Sequence, residues 1–368
     1  MAVTTETSPA AALIRPSTVE IPGAEVEDPR ARMRTITLEE HFVSRRFIDV
    51  VGIDLGAHRS VDLSSSEVTD LAELRLRHMD ESGIDMQVIS HVLPTFAPIP
   101  PIQDQDIATA ANDQAAAAIA AYPGRFAAFA ALPMSDPQAA VDELRRAVSQ
   151  LGFVGALING RAYGTFLDAP AYRPLLQTAV DLDVPLYLHP GPPTATLREE
   201  HYSGLGATVS YALATTAWGW HAETGLHALR LIAAGIFDQL PNLQIILGHM
   251  GEMIPFMLNR ADEWLTPAAR TENNLQLSVA ETFRRNFWIT TSGMFSSPQF
   301  LLLHQVLGPD RLLFSIDYPF NSNTQGRAFL DALEINPTDK ERLSHGNAER
   351  LLHLPSIASA SLQPRPDQ

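Results

Sequence analysis

The chain has 368 residues, a length that suits two average domains or one large α/β barrel with insertions. Its 42 acidic residues outnumber its 26 basic residues, and the formal net charge of -16 argues against nucleic acid as a partner, because polyanions bind basic surfaces. Cysteine is absent, which excludes disulfides, thiolate metal ligands and a cysteine nucleophile.

Both ends of the chain are predicted to lie outside the folded core. Residues 1–32 are rich in Pro, Thr and Glu, and we expect them to form a mobile arm. They lack the basic and apolar segments of a secretory signal, and no apolar run in the chain approaches the roughly 18 residues of a membrane span. We therefore expect a cytoplasmic protein with no membrane partner, and a short C-terminal tail over residues 356–368.

Short apolar or β-branched runs alternate with amphipathic helical patterns between these two ends. The predicted strands, in chain order, are residues 33–38, 85–92, 125–132, 153–158, 184–189, 243–249, 287–292 and 311–316. Eight strands that are each followed by helical sequence predict one α/β domain, a (β/α)8 TIM barrel, over residues 33–355. No glycine-rich phosphate-binding motif follows any strand, which weakens the alternative of a nucleotide-binding sheet. The long segment 190–242 predicts inserted helices over the barrel mouth.

Side chains that can bind a metal or transfer protons follow four of the predicted strands. These are Glu39, Glu40 and His41 after the first strand, His189 at the fifth, His249 at the sixth and Asp317 after the eighth. Active sites of such barrels lie where the strands meet the following loops, so these positions should converge on one rim. A single histidine or aspartate at a strand end often has a structural role, but four such ends together predict a metal site.

Side-chain direction separates the two glutamates. Successive strand residues point to opposite faces, so Glu39 and His41 share one side, whereas Glu40 faces the other and is predicted to be a salt-bridge or loop partner. Glu39 and His41 then form a ligand pair that His189 and Asp317 complete. Two imidazoles and two carboxylates without a thiolate suit Mn²⁺ or Zn²⁺. No lysine at the fourth strand could bridge a second ion, so we expect one ion.

Several motifs together resemble a known family. They are LEEHF at 38–42, YLHP at 187–190, ETGLHALRL at 223–231, LGHMGE at 247–252 and DYPF at 317–320, within a resemblance that covers residues 34–354. The chain resembles the amidohydrolase-related metal-dependent decarboxylases, and within them the γ-resorcylate (2,6-dihydroxybenzoate) and 5-carboxyvanillate decarboxylases. The resemblance implies one divalent metal ion, no organic cofactor and a small aromatic carboxylate as substrate. Met294 stands where the family motif TTSGNF has Asn, and this departure leaves the exact substrate open.

The resemblance also implies roles for individual residues. The family's metal ligands match Glu39, His41, His189 and Asp317. His249 matches an active-site histidine, and Glu252 would orient it, unless Glu252 only stabilises the first turn of the following helix. Arg260 matches an arginine that reaches into the neighbouring subunit's site and meets the substrate's carboxylate; the alternative is an ordinary surface arginine. An arginine shared in this way implies a homodimer or homotetramer.

The implied mechanism needs a proton donor over the aromatic ring, and the resemblance suggests Asp317. Four aromatic residues lie beside the proposed ligands in the sequence and could form the walls of the ring site, although core packing is an alternative for each: Phe42, Phe295, Tyr318 and Phe320. His91, at the end of the second strand, is a candidate for an extra member of the site.

Three functions stay open at this point. The first is nonoxidative decarboxylation of a hydroxylated benzoate, reversible as a carboxylation. The second is metal-dependent hydrolysis of a lactone or amide on the same barrel, with Asp317 as general base. The third, a noncatalytic binder, is disfavoured by the intact ligand set.

Glu223 and His227 have a helical spacing that can bind metal, but we assign them, with His221, to interface or lid structure.

Overall fold

Eight parallel β-strands alternate with helices in the computed structural model of the chain. The structure describes residues 33–51, 66–92, 99–161 and 163–356. The strands are β1 (Ile36–Phe42), β2 (Met86–His91), β3 (Phe126–Ala128), β4 (Ala156–Asn159), β5 (Leu186–His189), β6 (Ile245–Leu247), β7 (Phe287–Thr290) and β8 (Leu312–Leu313). The predicted arm and all but the first residue of the predicted tail lie outside the described residues.

The strands close into a barrel. β1, β2 and β3 form one parallel sheet, and β4 to β8 form a second in chain order. Two parallel bridges join the sheets at both edges: Ala130 pairs with Ala156, and Leu38 pairs with Ser315. Every strand therefore has a neighbour on each side, and the predicted (β/α)8 architecture is confirmed.

The barrel interior is filled by alternate strand residues. Ile36 and Leu38 from β1, Val88 from β2, Tyr187 from β5 and Ile246 from β6 belong to one buried cluster, each at most 1% exposed. Because this packed layer fills the barrel, there is no through-pore, and a site can form only beyond the strand ends.

The helices surround the barrel and extend over its mouth. They are α1 (Arg45–Val51), α2 (Ser66–Thr69), α3 (Glu73–Ser82), α4 (Pro101–Ala121), α5 (Pro137–Leu151), α6 (Arg173–Asp181), α7 (Ala195–Leu197), α8 (Ala207–Ala214), α9 (Gly219–Ala233), α10 (Ile236–Gln239), α11 (His249–Glu252), α12 (Ile254–Asn273), α13 (Val279–Asn286), α14 (Ser297–Leu307), α15 (Asn323–Ala332), α16 (Pro337–Glu341) and α17 (Asn347–Leu351). None of the described helices is long and apolar enough to cross a membrane.

Local sequence explains where the helices begin and end. In α5, the Asp136 side chain accepts hydrogen bonds from the first backbone amides, Pro137 occupies the first turn, and Gly152 ends the helix in a left-handed conformation. The connection after β5 is long and holds the predicted inserted helices, which are α7, α8 and the start of α9. Tyr211 and Trp220 from this segment line the cavity at the barrel mouth.

Candidate metal and active site

The first strand carries a bulge at the candidate site. Where β1 pairs with β2, Thr37 lies opposite Gln87 and Glu40 lies opposite Ile89. β1 therefore has one more residue than β2 between these two pairs. Glu39 lies in the bulge with a φ of 62°. This left-handed backbone costs a non-glycine residue about 1–2 kcal/mol. The bulge, rather than plain strand alternation, aims the Glu39 side chain into the site.

The two oxygens of the buried Glu39 carboxylate have different surroundings. Oε2 accepts hydrogen bonds from the hydroxyls of Tyr187 and Ser292. Oε1 has no hydrogen-bond partner among the described residues and lies 3.5 Å from His189 Nε2. Burial raises the pKa of Glu39, although the charge of His249 acts in the opposite direction. A cation beside Oε1 would favour the ionised carboxylate and offset the cost of burial.

His41, His189 and Asp317 approach the same point. His41 Nε2 lies 3.3 Å from Asp317 Oδ1, and the His41 ring lies 4.7 Å from the His189 ring. His41 Nδ1 lies 3.1 Å from the Ser90 hydroxyl, a contact that fixes the ring and leaves Nε2 facing the site. Burial lowers the pKa of His189 well below its ordinary value, so this imidazole is neutral. One potential ligand atom each from Glu39, His41 and His189 lies within 4.8 Å of the others.

Asp317 follows β8 with a φ of 71°. Its Oδ2 accepts a hydrogen bond of 3.1 Å from Asn321 and lies 3.9 Å from His249 Nε2. Burial alone would raise the pKa of Asp317, but the neighbouring imidazoles of His249 and His41 hold it below its ordinary value. The carboxylate is therefore ionised at neutral pH.

Two glycines leave room for the carboxylates. A Cβ atom at Gly248 would lie 2.6 Å from Glu39 Oε2, which is closer than any side chain allows. A Cβ atom at Gly293 would lie 3.2 Å from Asp317 Oδ2, and Gly293 also has a φ of 63°. Any larger residue at these positions would displace a candidate ligand.

Glu40 turns away from the site and holds the end of β8. Its Oε1 accepts a hydrogen bond of 3.0 Å from the Ile316 amide, and its Oε2 accepts one of 3.2 Å from the Tyr318 amide. These two amides flank Asp317. Burial raises the pKa of Glu40 to about 8, although the backbone hydrogen bonds act in the opposite direction. The side chain is thus a loop partner that supports the segment carrying Asp317.

His249 lies beyond β6, although the sequence predicted that this strand would include it. It begins α11, a left-handed turn, and its amide donates a hydrogen bond of 3.1 Å to the Ser292 hydroxyl. Its Nδ1 lies 2.8 Å from Glu252 Oε1, and its Nε2 lies 3.9 Å from Glu39 Oε1. Burial would lower the pKa of His249, but the charges of Glu39 and Glu252 raise it well above its ordinary value.

A cavity of about 1470 Å³ opens beside this cluster. His189, His249, Asp317, Phe320, Trp220 and Met294 are among the residues that line it. The Phe320 ring lies 5.6 Å from the His41 ring, so Phe320 stands beside the candidate ligands.

The other three aromatic residues do not line the cavity, so the expectation that they form the walls of the ring site is wrong. Phe42 packs on His91 with ring centres 5.5 Å apart, Phe295 packs on Phe329, and the Tyr318 hydroxyl contacts His78. Their side chains serve the packing below and beside the site, the alternative that the sequence left open.

His91 lines the cavity but is held by aromatic packing. Its ring contacts Phe42 and Phe47, and burial lowers its pKa to about 3, so it is a neutral imidazole. The ring is a wall of the cavity and lies outside the cluster of candidate ligands.

Arg260 lies on α12, outside the cavity of its own chain. Its side chain is 63% exposed, lies 3.6 Å from Glu263 and stacks over Trp264. Two residues one turn earlier on this helix, Phe256 and Met257, do line the cavity. In the isolated chain Arg260 therefore cannot meet a substrate bound beside Asp317.

The histidines and the glutamate of α9 have three separate partners. Glu223 forms an ion pair of 2.8 Å with Arg161, and His227 accepts a hydrogen bond of 2.9 Å from the Leu167 amide. Glu223 and His227 are therefore not a metal pair. His221 lies 2.7 Å from Glu252, so it faces the active-site turn, and its assignment to interface or lid structure stays a prediction. Sequence reasoning missed this contact because the two residues are joined only by the tertiary fold.

The donor set fits one divalent cation. Glu39 Oε1 and His41 Nε2 are buried without a hydrogen-bond partner in the described part of the chain, and neutral His189 and ionised Asp317 stand beside them. Unpaired buried polar atoms are costly unless a ligand satisfies them. Imidazole nitrogens and carboxylate oxygens are ligands that Zn²⁺ and Mn²⁺ accept.

Comparisons with known proteins agree with this chemistry. A decarboxylase of Emericella nidulans is 39% identical over 331 residues, which cover 86% of this chain and 96% of that protein. The γ-resorcylate decarboxylase of Rhodococcus jostii is 38% identical over 338 residues, which cover 87% of this chain and 98% of that protein. The crystal structure of a dihydroxybenzoic acid decarboxylase from Polaromonas sp. JS666, with bound manganese and the inhibitor 2-nitroresorcinol, matches with a TM-score of 0.78 at 35% identity, over 89% of this chain and 99% of that one.

The amidohydrolase family model matches residues 53–354. Glu39 and His41 precede the matched residues, and their place in the site rests on the barrel geometry. The matched segment holds His189, His249 and Asp317 and spans most of the chain. The chain belongs to the amidohydrolase family, and the relatives described above are decarboxylases.

Proposed function

We propose that this protein is a metal-dependent nonoxidative decarboxylase of a hydroxylated benzoate such as 2,6-dihydroxybenzoate, and that the reaction can run in reverse as a carboxylation. The observation that carries the proposal is the convergence of unpartnered, buried Glu39 and His41 atoms with His189 and Asp317 beside a cavity. Relatives that match nearly their whole length and act on dihydroxybenzoates support the substrate class.

Glu39, His41, His189 and Asp317 would hold one divalent ion, and the chemistry needs no organic cofactor. Manganese is favoured over zinc by the manganese-bound relative. When bound, the ion would act as a Lewis acid toward the substrate's carboxylate and ortho-phenolate oxygens. Hydroxyl groups of Tyr187 and Ser292 would keep Glu39 in a single orientation during binding.

Asp317 would deliver the proton that replaces carbon dioxide on the ring. Protonation at the ring carbon that bears the carboxylate avoids an aryl carbanion, and breaking the carbon–carbon bond then restores the aromatic ring. The proton must come from elsewhere because Asp317 is ionised at rest. The substrate's phenol and His249, whose Nε2 lies 3.9 Å from Asp317 Oδ2, are the two sources within reach.

Arg260 would act in a neighbouring subunit. It is exposed, it lies outside its own cavity, and the same helix exposes the apolar side chains of Phe256, Met257 and Trp264. An exposed apolar surface around a cation is typical of a protein interface. We therefore propose a homodimer or homotetramer in which Arg260 crosses to the partner's substrate carboxylate.

The test is a screen of hydroxybenzoates for release of carbon dioxide, run beside a panel of lactones and amides. The protein is stripped of metal and reloaded with Mn²⁺ or Zn²⁺, and the stripped protein is the control. We expect turnover of at least one ortho-hydroxybenzoate that depends on metal. Hydrolysis of a lactone or amide without release of carbon dioxide would contradict the proposal and support the hydrolase.

A further inference from the structure

The turn that carries His249 and Glu252 has a left-handed backbone over five consecutive residues. The φ angles of His249, Met250, Gly251, Glu252 and Met253 are 48°, 56°, 85°, 52° and 66°. Only glycine adopts this conformation without a steric penalty, so four of the five positions are strained. The turn persists because contacts from the rest of the protein hold it.

Glu252 is the central contact of this turn. The side chain is fully buried, with Oε1 at 2.8 Å from His249 Nδ1 and Oε2 at 2.7 Å from His221 Nδ1. His221 stands on α9, and that helix packs closely on the turn: a Cβ atom at Gly225 would lie 2.7 Å from the Glu252 carbonyl oxygen. The carboxylate therefore joins a residue of the inserted helices to the active-site histidine.

Hydrogen-bond chemistry fixes the state of His221. Its Nε2 lies 2.9 Å from the carbonyl oxygen of Thr216, which can only accept, so Nε2 carries a proton. Its Nδ1 faces the Glu252 carboxylate. Burial alone would raise the pKa of Glu252, but the charge of His249 and the hydrogen bonds from both histidines lower it, so the carboxylate is ionised. Both ring nitrogens of His221 then face acceptors.

We propose that His221 is a positioning residue for His249: as a doubly protonated imidazole, it holds Glu252 from the side opposite His249 and so fixes the left-handed turn at the cavity wall. This proposal rests on the proposed decarboxylation in one respect only: its kinetic test measures that reaction. The residues that position the active site would then include one from the helices inserted over the barrel mouth, in addition to those at the strand ends.

A second metal ion is the competing interpretation, because ligand atoms of His221, His249 and Glu252 lie within 4.8 Å of one another. The geometry favours hydrogen bonding. Both carboxylate oxygens are at hydrogen-bond distance from ring nitrogens, and the far nitrogen of His221 is used by the Thr216 carbonyl. His221 therefore has no lone pair to offer while these contacts are made.

The kinetic test uses His221→Leu, which cannot donate, and His221→Gln, whose amide can donate to Glu252. His227→Gln, on the same helix but away from the cavity, is the matched control. For His221→Leu we expect kcat to fall by about tenfold or more, with KM changed by less than about threefold, because His249 is misaligned while the substrate's anchors remain. His221→Gln should recover a large part of kcat. Unchanged kcat in both variants, or a rise in KM alone, would overturn the proposal.

A spectroscopic test does not depend on turnover. Protein labelled with ¹⁵N-histidine is studied at about pH 7.5, metal-free and loaded with diamagnetic Zn²⁺, and the His221 signals are identified by their loss in His221→Gln. We expect two protonated ring nitrogens on His221. One unprotonated nitrogen, or loss of a second equivalent of metal in His221→Leu, would refute the positioning role. If the wild-type protein decarboxylates no hydroxybenzoate, the proposed function fails and these spectra still decide the role of His221.

Discussion

Two adjacent glutamates in β1 have different environments. Glu39 offers one unpartnered oxygen to the candidate metal site, whereas Glu40 accepts hydrogen bonds from the backbone on both sides of Asp317. The difference arises from the bulge that turns Glu39 into a left-handed conformation. One side chain is suited to binding an ion, and the other to supporting the loop that carries another ligand.

Substitution of each glutamate should separate metal binding from support. Glu39→Gln removes a charged ligand, and we expect metal affinity to fall by about tenfold to a hundredfold or more. Glu40→Gln should keep about one equivalent of metal but lose stability, on the order of 1–3 kcal/mol, because an amide group would then face a backbone N–H. Metal analysis and thermal unfolding measure the two effects. Equal metal loss in both variants would contradict this division.

Asp317 is expected to be more important for turnover than for holding the ion. Asp317→Asn keeps an oxygen near His41 but cannot deliver a proton, so we expect kcat to fall by about a hundredfold or more. The other three ligands should retain at least about half an equivalent of metal. Measured kcat and metal content check this, and retained activity would remove Asp317 as the proton donor.

At the level of single elements, α9 links the barrel mouth to the site. Three of its polar side chains make these links: His221 contacts Glu252, Glu223 pairs with Arg161, and His227 accepts from the Leu167 amide. The helical spacing of Glu223 and His227 is compatible with a metal pair, but each side chain has its own partner in the connection between β4 and α6. These contacts tie the inserted segment to the connection after β4 and to the turn after β6.

His227 should make stability sensitive to acid. Burial lowers its pKa from 6.5 to about 4, so the unfolded chain binds a proton between these values that the folded chain does not. The stability contributed by neutral His227 is thus fully present above pH 6.5 and is lost as the pH falls toward 4. His227→Gln can still accept from the Leu167 amide but does not titrate. Its Tm should therefore fall less than that of the wild type between about pH 7 and pH 5.

Thermal unfolding across this pH range measures the effect, with His201→Gln, an exposed histidine, as the control. Parallel pH profiles for His227→Gln and the wild type would show that the His227 ring is not the acid-sensitive group.

The sequence was sufficient for the strands, the barrel and the residues at the strand ends, because hydrophobic periodicity and chain order determine these features. It was insufficient for the bulge at Glu39, the left-handed turn at His249 and the pairing of His221 with Glu252. These depend on strained backbone and on contacts between distant segments, which leave no periodic pattern. The aromatic residues show the same limit: Phe320 faces the cavity, whereas Phe42 and Tyr318 pack elsewhere.

At the scale of the whole molecule, α12 exposes a surface suited to association. Phe256 is 78% exposed and Trp264 is 63% exposed, on the helix that carries Arg260. Phe256 also lines the cavity, so a partner covering this surface would complete the cavity wall.

Arg260→Ala should raise KM by about tenfold or more, with little change in oligomer mass, because the substrate carboxylate loses a charged partner. Arg270→Ala, an exposed residue on the same helix, is the matched control. Steady-state kinetics and light scattering measure the two quantities. An unchanged KM would refute the substrate contact.

Complementation tests whether Arg260 acts across subunits. Asp317→Asn and Arg260→Ala chains are co-expressed, so that a mixed dimer contains one site with both defects and one with neither. Random pairing should then restore about a quarter of wild-type activity to a mixture of two impaired variants. Activity no higher than the mean of the two variants would mean that Arg260 does not serve a partner.

The Leu38–Ser315 bridge also determines when the metal site can form during synthesis. It joins the first strand to the segment just after the last one, and Glu39 follows Leu38 directly while Asp317 lies two residues after Ser315. Contacts between residues so distant in sequence form late in folding, because a long loop must be closed first. A chain still on the ribosome carries Glu39 and His41 through most of its synthesis without Asp317. The ion would therefore bind a finished barrel, and a cell short of metal should accumulate folded, inactive enzyme rather than unfolded chains.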